Sequence, residues 1–163
     1  SKVFISLKDI YENVIDHKLY IVHRLDKDTS GLMLFAKNRI TASKISSLFL
    51  NNQIKKFYIS VTNSKFNTNT DTLINYNSDK KKLKLAYRKI QLGNHENCYL
   101  IKLFTGKKHQ IRLQFYLNKN PIIGDKKFSG NKFNKLLLCS YKIIFKLDGK
   151  FYKFKINPNR ILS

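Results

Sequence analysis

One carboxylate stands out in this chain. In the run His23-Arg24-Leu25-Asp26-Lys27-Asp28-Thr29-Ser30-Gly31, Asp26 lies between two basic residues just ahead of a glycine, in a sequence with only 10 Asp and Glu against 32 Lys and Arg. A carboxylate held in an anion-attracting surface can serve as nucleophile or base toward a bound polyanion. The same residue types have a plainer use, since Asp, Thr and Ser ahead of Gly also build turns and helix caps. A second run, Thr105-Gly106-Lys107-Lys108-His109-Gln110-Ile111-Arg112, passes from a strand end through a glycine into a helix. Backbone donors at such a helix start, with Lys107 and Lys108, suit phosphate, although a plain strand–helix connection looks the same. His109 and Arg112 are three apart and share a helix face, from which the arginine can pair with a strand-end carboxylate and fix its direction.

These groups need elements to hold them. Leu19–Leu25 and Leu32–Ala36 read as strands on either side of the Asp26–Gly31 turn, with Asp26 at the end of the first and Thr29 and Ser30 closing the turn through their side chains. Asn38 caps a helix to about Asn52, with Ile40, Ile45, Leu48 and Phe49 as its apolar stripe. Phe57, Ile59 and Val61 alternate with Tyr58 and Ser60, the pattern of a half-buried strand. The polar stretch 63–82 reads as a flexible loop enclosing at most a weak strand near Leu73–Tyr76. Strands over 83–90 and 98–105 flank Gly93-Asn94, 108–118 has helical spacing, and 136–145 and 151–156 form a hairpin across Asp148-Gly149. Residues 3–15 fit either a short strand or a helix. The sum is an α+β domain, 1–163, on a mostly antiparallel or mixed sheet with a few flanking helices.

At 163 residues and 42% hydrophobic content, the chain is long enough and apolar enough for one globular core. Its net charge of +22 makes nucleic acid the first partner to expect. Only five of the basic residues are arginine, and the lysine excess beside abundant Asn and Ile is what an A+T-rich genome produces. The arginines are therefore the better candidates for specific contacts. Cys98 and Cys139 have no paired spacing and read as buried thiols of a reducing compartment. No apolar run reaches membrane-span length, so the expectation is a cytoplasmic monomer, or one in an organelle interior after loss of a targeting segment. The scattered acids offer no metal cluster, which argues against metal-dependent nuclease or phosphoryl-transfer chemistry.

The motifs also carry a resemblance. His-Arg-Leu-Asp-x-x-Thr-Ser-Gly at 23–31 resembles the signature of the RluA-type RNA pseudouridine synthases. Lys56-Phe57-Tyr58 is similar to that family's Lys-x-Tyr strand, Thr105–Arg112 to its Thr-Gly-Arg-x-His-Gln-Ile-Arg, Pro121–Asp125 to its Pro-Ile-x-Gly-Asp, and Lys135–Ser140 to its Arg-Leu-x-Leu-His-Ala. The resemblance implies isomerisation of uridine in RNA without metal or cofactor, with large-subunit rRNA as substrate, closest to the RluC branch. It implies Asp26 as the catalytic aspartate, Tyr58 as the aromatic that stacks on the target base and assists proton removal, and Arg112 as the partner of Asp26. Leu138 would line the uracil pocket, with Arg24, Lys107 and His109 gripping RNA. Lys107, Gln114 and Cys139-Ser140 depart from the family pattern. The family's upstream Lys-Pro strand is not found, which suggests an N-terminally incomplete chain. The alternative is a basic RNA-binding or ribosome-associated protein of the same fold without catalysis.

Overall fold

The computed structural model describes residues 7–162. Helix α1 (Leu7–Ile15) is followed by two short strands, β1 (Tyr20–Ile21) and β2 (Ser30–Gly31), then β3 (Phe35–Ala36) and helix α2 (Arg39–Leu50). Strands β4 (Lys55–Val61), β5 (Thr70–Tyr76), β6 (Lys82–Leu92) and β7 (His95–Leu103) precede helix α3 (Gln110–Leu117). A hairpin of β8 (Leu138–Leu147) and β9 (Lys150–Lys155) and the short α4 (Asn159–Leu162) complete the chain. The ambiguity over 3–15 thus resolves to a helix from Leu7, while Val3 and Ile5 lie outside the described residues.

The main sheet has the order β2-β8-β4-β7-β6-β5, with β9 added beside β8; only β2 runs parallel to its neighbour. This is the expected α+β architecture on a mixed sheet. Asp148 and Gly149, both at positive φ, make the β8–β9 turn, the conformation a two-residue hairpin needs to match strand twist. Asn38 caps α2 as its type predicts, its Oδ1 accepting from the Thr41 amide at 2.8 Å. The apolar stripe of α2 is narrower than expected: Ile45 is buried, but Ile40 in the first turn is 72% exposed.

The stretch 63–82 is not one loop. Its middle is β5, paired with β6 along all seven residues, because Leu73 buries against the core and the polar neighbours suit an edge strand. Phe66 is also anchored, stacked on Tyr87 at 4.3 Å, with its amide donating to the Tyr99 hydroxyl at 3.0 Å. Among the described residues three apolar clusters follow from this layout. One, around Tyr99, Ile101, Leu85 and Phe115, fastens α3 to the sheet; a second, around Ile45, Ile143, Phe145 and Val22, fastens α2 and the β1–β3 pair; a third, around Ile59, Val61, Cys98 and Cys139, takes in Leu162 of α4.

The turn after Asp26 is sewn to β8. Ser30 and Gly31 register with Cys139 and Ser140, the Leu32 amide donates to the Ser140 carbonyl at 2.8 Å, and the Ser30 hydroxyl donates to the Leu138 carbonyl at 3.2 Å. The Ser30 side chain therefore ties the turn to the sheet rather than closing it locally. Gly31 has φ +107° and a Cβ there would sit 2.3 Å from the Ser140 carbonyl oxygen. Gly31→Ala is expected to lower unfolding free energy by about 3 kcal/mol through strain and overpacking. A denaturation midpoint equal to that of the parent would refute this.

Candidate active site

The structure holds less strand around Asp26 than the apolar spacing predicts. β1 stops at Tyr20–Ile21, and residues 22–29 are irregular chain and turn, so Asp26 sits in a loop rather than at a strand end. What fixes this loop is packing at its start and hydrogen bonding at its finish. His23 stacks on Phe49 of α2 at 4.5 Å, and its Nε2 accepts the Leu34 amide at 2.9 Å. The Thr29 amide donates to the Asp26 carbonyl at 2.9 Å before the chain joins β8.

A neutral ring is required of His23, since a protonated Nε2 cannot accept. Burial, aided by the charge of Lys56, pushes its pKa down to about 4. The unfolded chain therefore binds one more proton than the folded one between pH 6.5 and about 4, and stability falls as pH falls through that window. The loss at the acid end is expected to be roughly 3 kcal/mol. His23→Gln should flatten the dependence in that range; an unchanged profile in urea melts would sink this account.

The loop faces α3 and its approach. All seven nominated residues, Arg24, Asp26, Tyr58, Lys107, His109, Arg112 and Leu138, line one cavity of about 910 Å³. Leu138 forms apolar floor, and Tyr58 rises from the central strand β4 beside it, where β8 carries a register shift opposite Phe57 and Tyr58. Burial first, then the charge of Asp26, pushes the Tyr58 phenol up to about 12, against a hydrogen bond with Ser140. Tyr58 is thus a neutral aromatic surface and hydrogen-bonding group at ordinary pH. Arg24, Lys27, Lys107 and Lys108 are exposed at the rim and make it cationic.

Arg112 has a nearer carboxylate than the one expected. Its Nε and Nη2 donate to the two oxygens of Asp125, each at 2.8 Å, while its Nη1 lies 3.9 Å from Asp26. Asp125 also accepts from the Lys127 and Phe128 amides at 2.9 and 3.0 Å. Burial pushes the Asp125 carboxyl up, but these four hydrogen bonds and the Arg112 charge outweigh it, and the net direction is down. The bidentate pair locks the guanidinium and leaves one edge toward Asp26. Asp125 was missed as a site residue, although it ends the Pro121–Asp125 segment. His109, the left-handed residue that starts α3 at φ 54°, brings its Nε2 to 3.8 Å from Asp26. Burial and the cations Arg112, Lys127 and Lys108 lower its pKa despite Asp26, so this contact involves a neutral ring near pH 7.

Asp26 is therefore a carboxylate with no side-chain hydrogen bond among the described residues, held between a fixed guanidinium and an imidazole above an apolar, aromatic floor. Residues 5–116 match the family model for RNA pseudouridylate synthase. An uncharacterised RNA pseudouridine synthase of Mycoplasma capricolum subsp. capricolum is 40% identical over 159 residues, covering 85% of this chain and 51% of that protein. The ribosomal large subunit pseudouridine synthase C of Rickettsia prowazekii is 34% identical over 150 residues, covering 81% and 49%. The chain spans about half the length of these curated relatives. The solved structure of human RNA pseudouridylate synthase domain containing 1 has the same fold, with a TM-score of 0.81 at 17% identity, over 93% of this chain and 73% of that one. With the family model spanning the Asp26 loop, the central strand and most of α3, the chain belongs to the RNA pseudouridylate synthase family.

Proposed function

We propose that this chain isomerises uridine to pseudouridine in RNA, with large-subunit rRNA as the substrate and Asp26 as the catalytic carboxylate. The observation that carries this reading is the convergence of Asp26, Tyr58, Leu138 and Arg112 on one cavity with a cationic rim. The rRNA assignment rests on the Rickettsia relatives, which are named as large-subunit enzymes. A uridine stacked inside a helix cannot bring its base to a carboxylate set within a cleft, so the target flips out, its base stacking on Tyr58 against Leu138. Arg24 and Lys107 at the rim take the flanking phosphates.

The bond between N1 of uracil and C1′ of ribose breaks with its electron pair going to the base. The base then turns, C5 bonds to C1′, the C5 proton leaves to water, and N1 takes a proton from water. As nucleophile, Asp26 bonds to C1′ as N1 leaves and is released when C5 bonds to C1′; as base, it takes the C2′ proton as N1 leaves and returns it when C5 bonds to C1′; in either case Arg112 keeps it aimed. Substrate and product are isomers, so the reaction consumes no cofactor. The test is release of tritium from large-subunit rRNA labelled at C5 of uridine, followed by mapping of the modified position. No release by the folded chain would sink the enzyme reading, and RNA binding without release would favour the non-catalytic alternative.

A further inference from the structure

Lys56 is the group in the cleft that nothing so far accounts for. It lies on β4 two residues before Tyr58, so both side chains leave the same face of the central strand. Its relative exposure is 8%, and it lines the same cavity as Asp26 and Tyr58. Among the described residues its ammonium has no hydrogen-bond acceptor and no carboxylate within 4.0 Å. Other site cations differ: Arg112 is paired with Asp125, and Arg24, Lys107 and Lys108 are exposed to water. The amine lies against the strand–helix connection, where a Cβ on Gly106 would come 2.9 Å from its Nζ.

A buried cation without a partner is destabilising, and burial lowers the Lys56 pKa accordingly. Such a group serves a fold poorly, but it suits an anion that is present only during a reaction. On the proposed function, on which this inference rests, that anion is predictable. When C1′–N1 breaks, the electron pair left on N1 spreads to the carbonyl oxygens O2 and O4 of uracil. Tyr58 would hold the base face, and Lys56 is its neighbour on the same strand face. Phosphates carry a permanent charge and are served by the exposed rim; the carbonyl oxygens acquire charge in the desolvated interior, where one N–H donor acts most strongly.

We infer that Lys56 is a catalytic residue that donates a hydrogen bond to a uracil carbonyl oxygen and stabilises the negative charge on the base as the glycosidic bond breaks. It gives up no proton in this role. The Lys-x-Tyr segment is then one functional unit, a donor and a stacking surface two residues apart.

The experiment compares the parent chain, Lys56→Met and Lys56→Gln in tritium release under saturating and limiting RNA, with thermal melts of each. The parent's release tests the proposed function by itself: if it is absent, that reading and this inference fall together. Given an active parent, Lys56→Met is expected to lower kcat about 100-fold with KM changed less than about threefold. Lys56→Gln, which keeps an N–H donor, should recover part of the loss. The melting temperature of Lys56→Met should equal or exceed the parent's, because an uncompensated buried charge is removed. Unchanged kcat would overturn the inference while leaving the proposed function intact. A raised KM with unchanged kcat and a shallower salt dependence would make Lys56 a phosphate contact. A lower melting temperature with a matching loss in Lys56→Gln would make it structural, and either result overturns the assignment.

Discussion

Asp26→Asn is expected to reduce tritium release from labelled rRNA by roughly 10⁴-fold or more, the scale seen when a single nucleophile or base is removed. The melting temperature is expected to stay with the parent. Both halves follow from the surroundings of the carboxylate. Arg112 Nη1 at 3.9 Å and the neutral imidazole Nε2 of His109 at 3.8 Å both lie beyond hydrogen-bond range, so the fold loses no bond when the charge goes. Asn has the same shape and leaves the backbone turn to Thr29 in place. A surface-loop change of this kind typically shifts stability by less than about 0.5 kcal/mol. Equal release by both proteins would remove Asp26 from its role, and a parallel drop in stability and activity would mark it as a structural residue.

Asp125→Ala is expected to cost about 3–5 kcal/mol of unfolding free energy, because it strands the guanidinium of Arg112, a residue only 5% exposed, without its bidentate partner. The Lys127 and Phe128 amides would lose their acceptor as well. For a domain of ordinary marginal stability this is a large share of the total. Replacing both partners, as in Arg112→Met with Asp125→Leu, should recover much of that loss, since two matched charges leave the interior together. Activity should not recover with it, because Asp26 has then lost the cation that faces it. A double-mutant cycle read in urea melts and in tritium release separates the two effects. Additive stability changes would show that the pair is not coupled, and an active double variant would show that Arg112 does not orient Asp26.

Several elements were open to reading because their signals are local. Asn38 caps α2 through a neighbour three residues away, and Asp148-Gly149 turns the last hairpin through its own backbone angles. Other elements depend on partners distant in sequence. The polar run Thr70–Tyr76 looks like loop until β6 pairs with it, and Ile40 looks like core until the packing of α2 turns it outward. Residues 22–25 carry strand-like apolar character, yet no neighbouring strand takes their hydrogen bonds, and β1 ends at Ile21. Propensity is a weak guide wherever tertiary contacts decide.

The sequence by itself determined the identity of the candidate groups: Asp26 in its basic setting, Tyr58 on an alternating strand, Arg112 on a helix after a Gly turn, and the motifs that tie them to one family. Residue type and short spacing suffice for that, since each motif is one continuous segment with its own backbone geometry. Only the tertiary structure decided how the groups are paired. It gave Arg112 to Asp125 at 2.8 Å and left Asp26 unbonded, it made His23 a neutral packing residue, and it buried Lys56 in the cleft without a partner. The physical reason is that charge pairing and desolvation depend on distance through the folded interior. They are set where separate segments meet, so no one segment carries them.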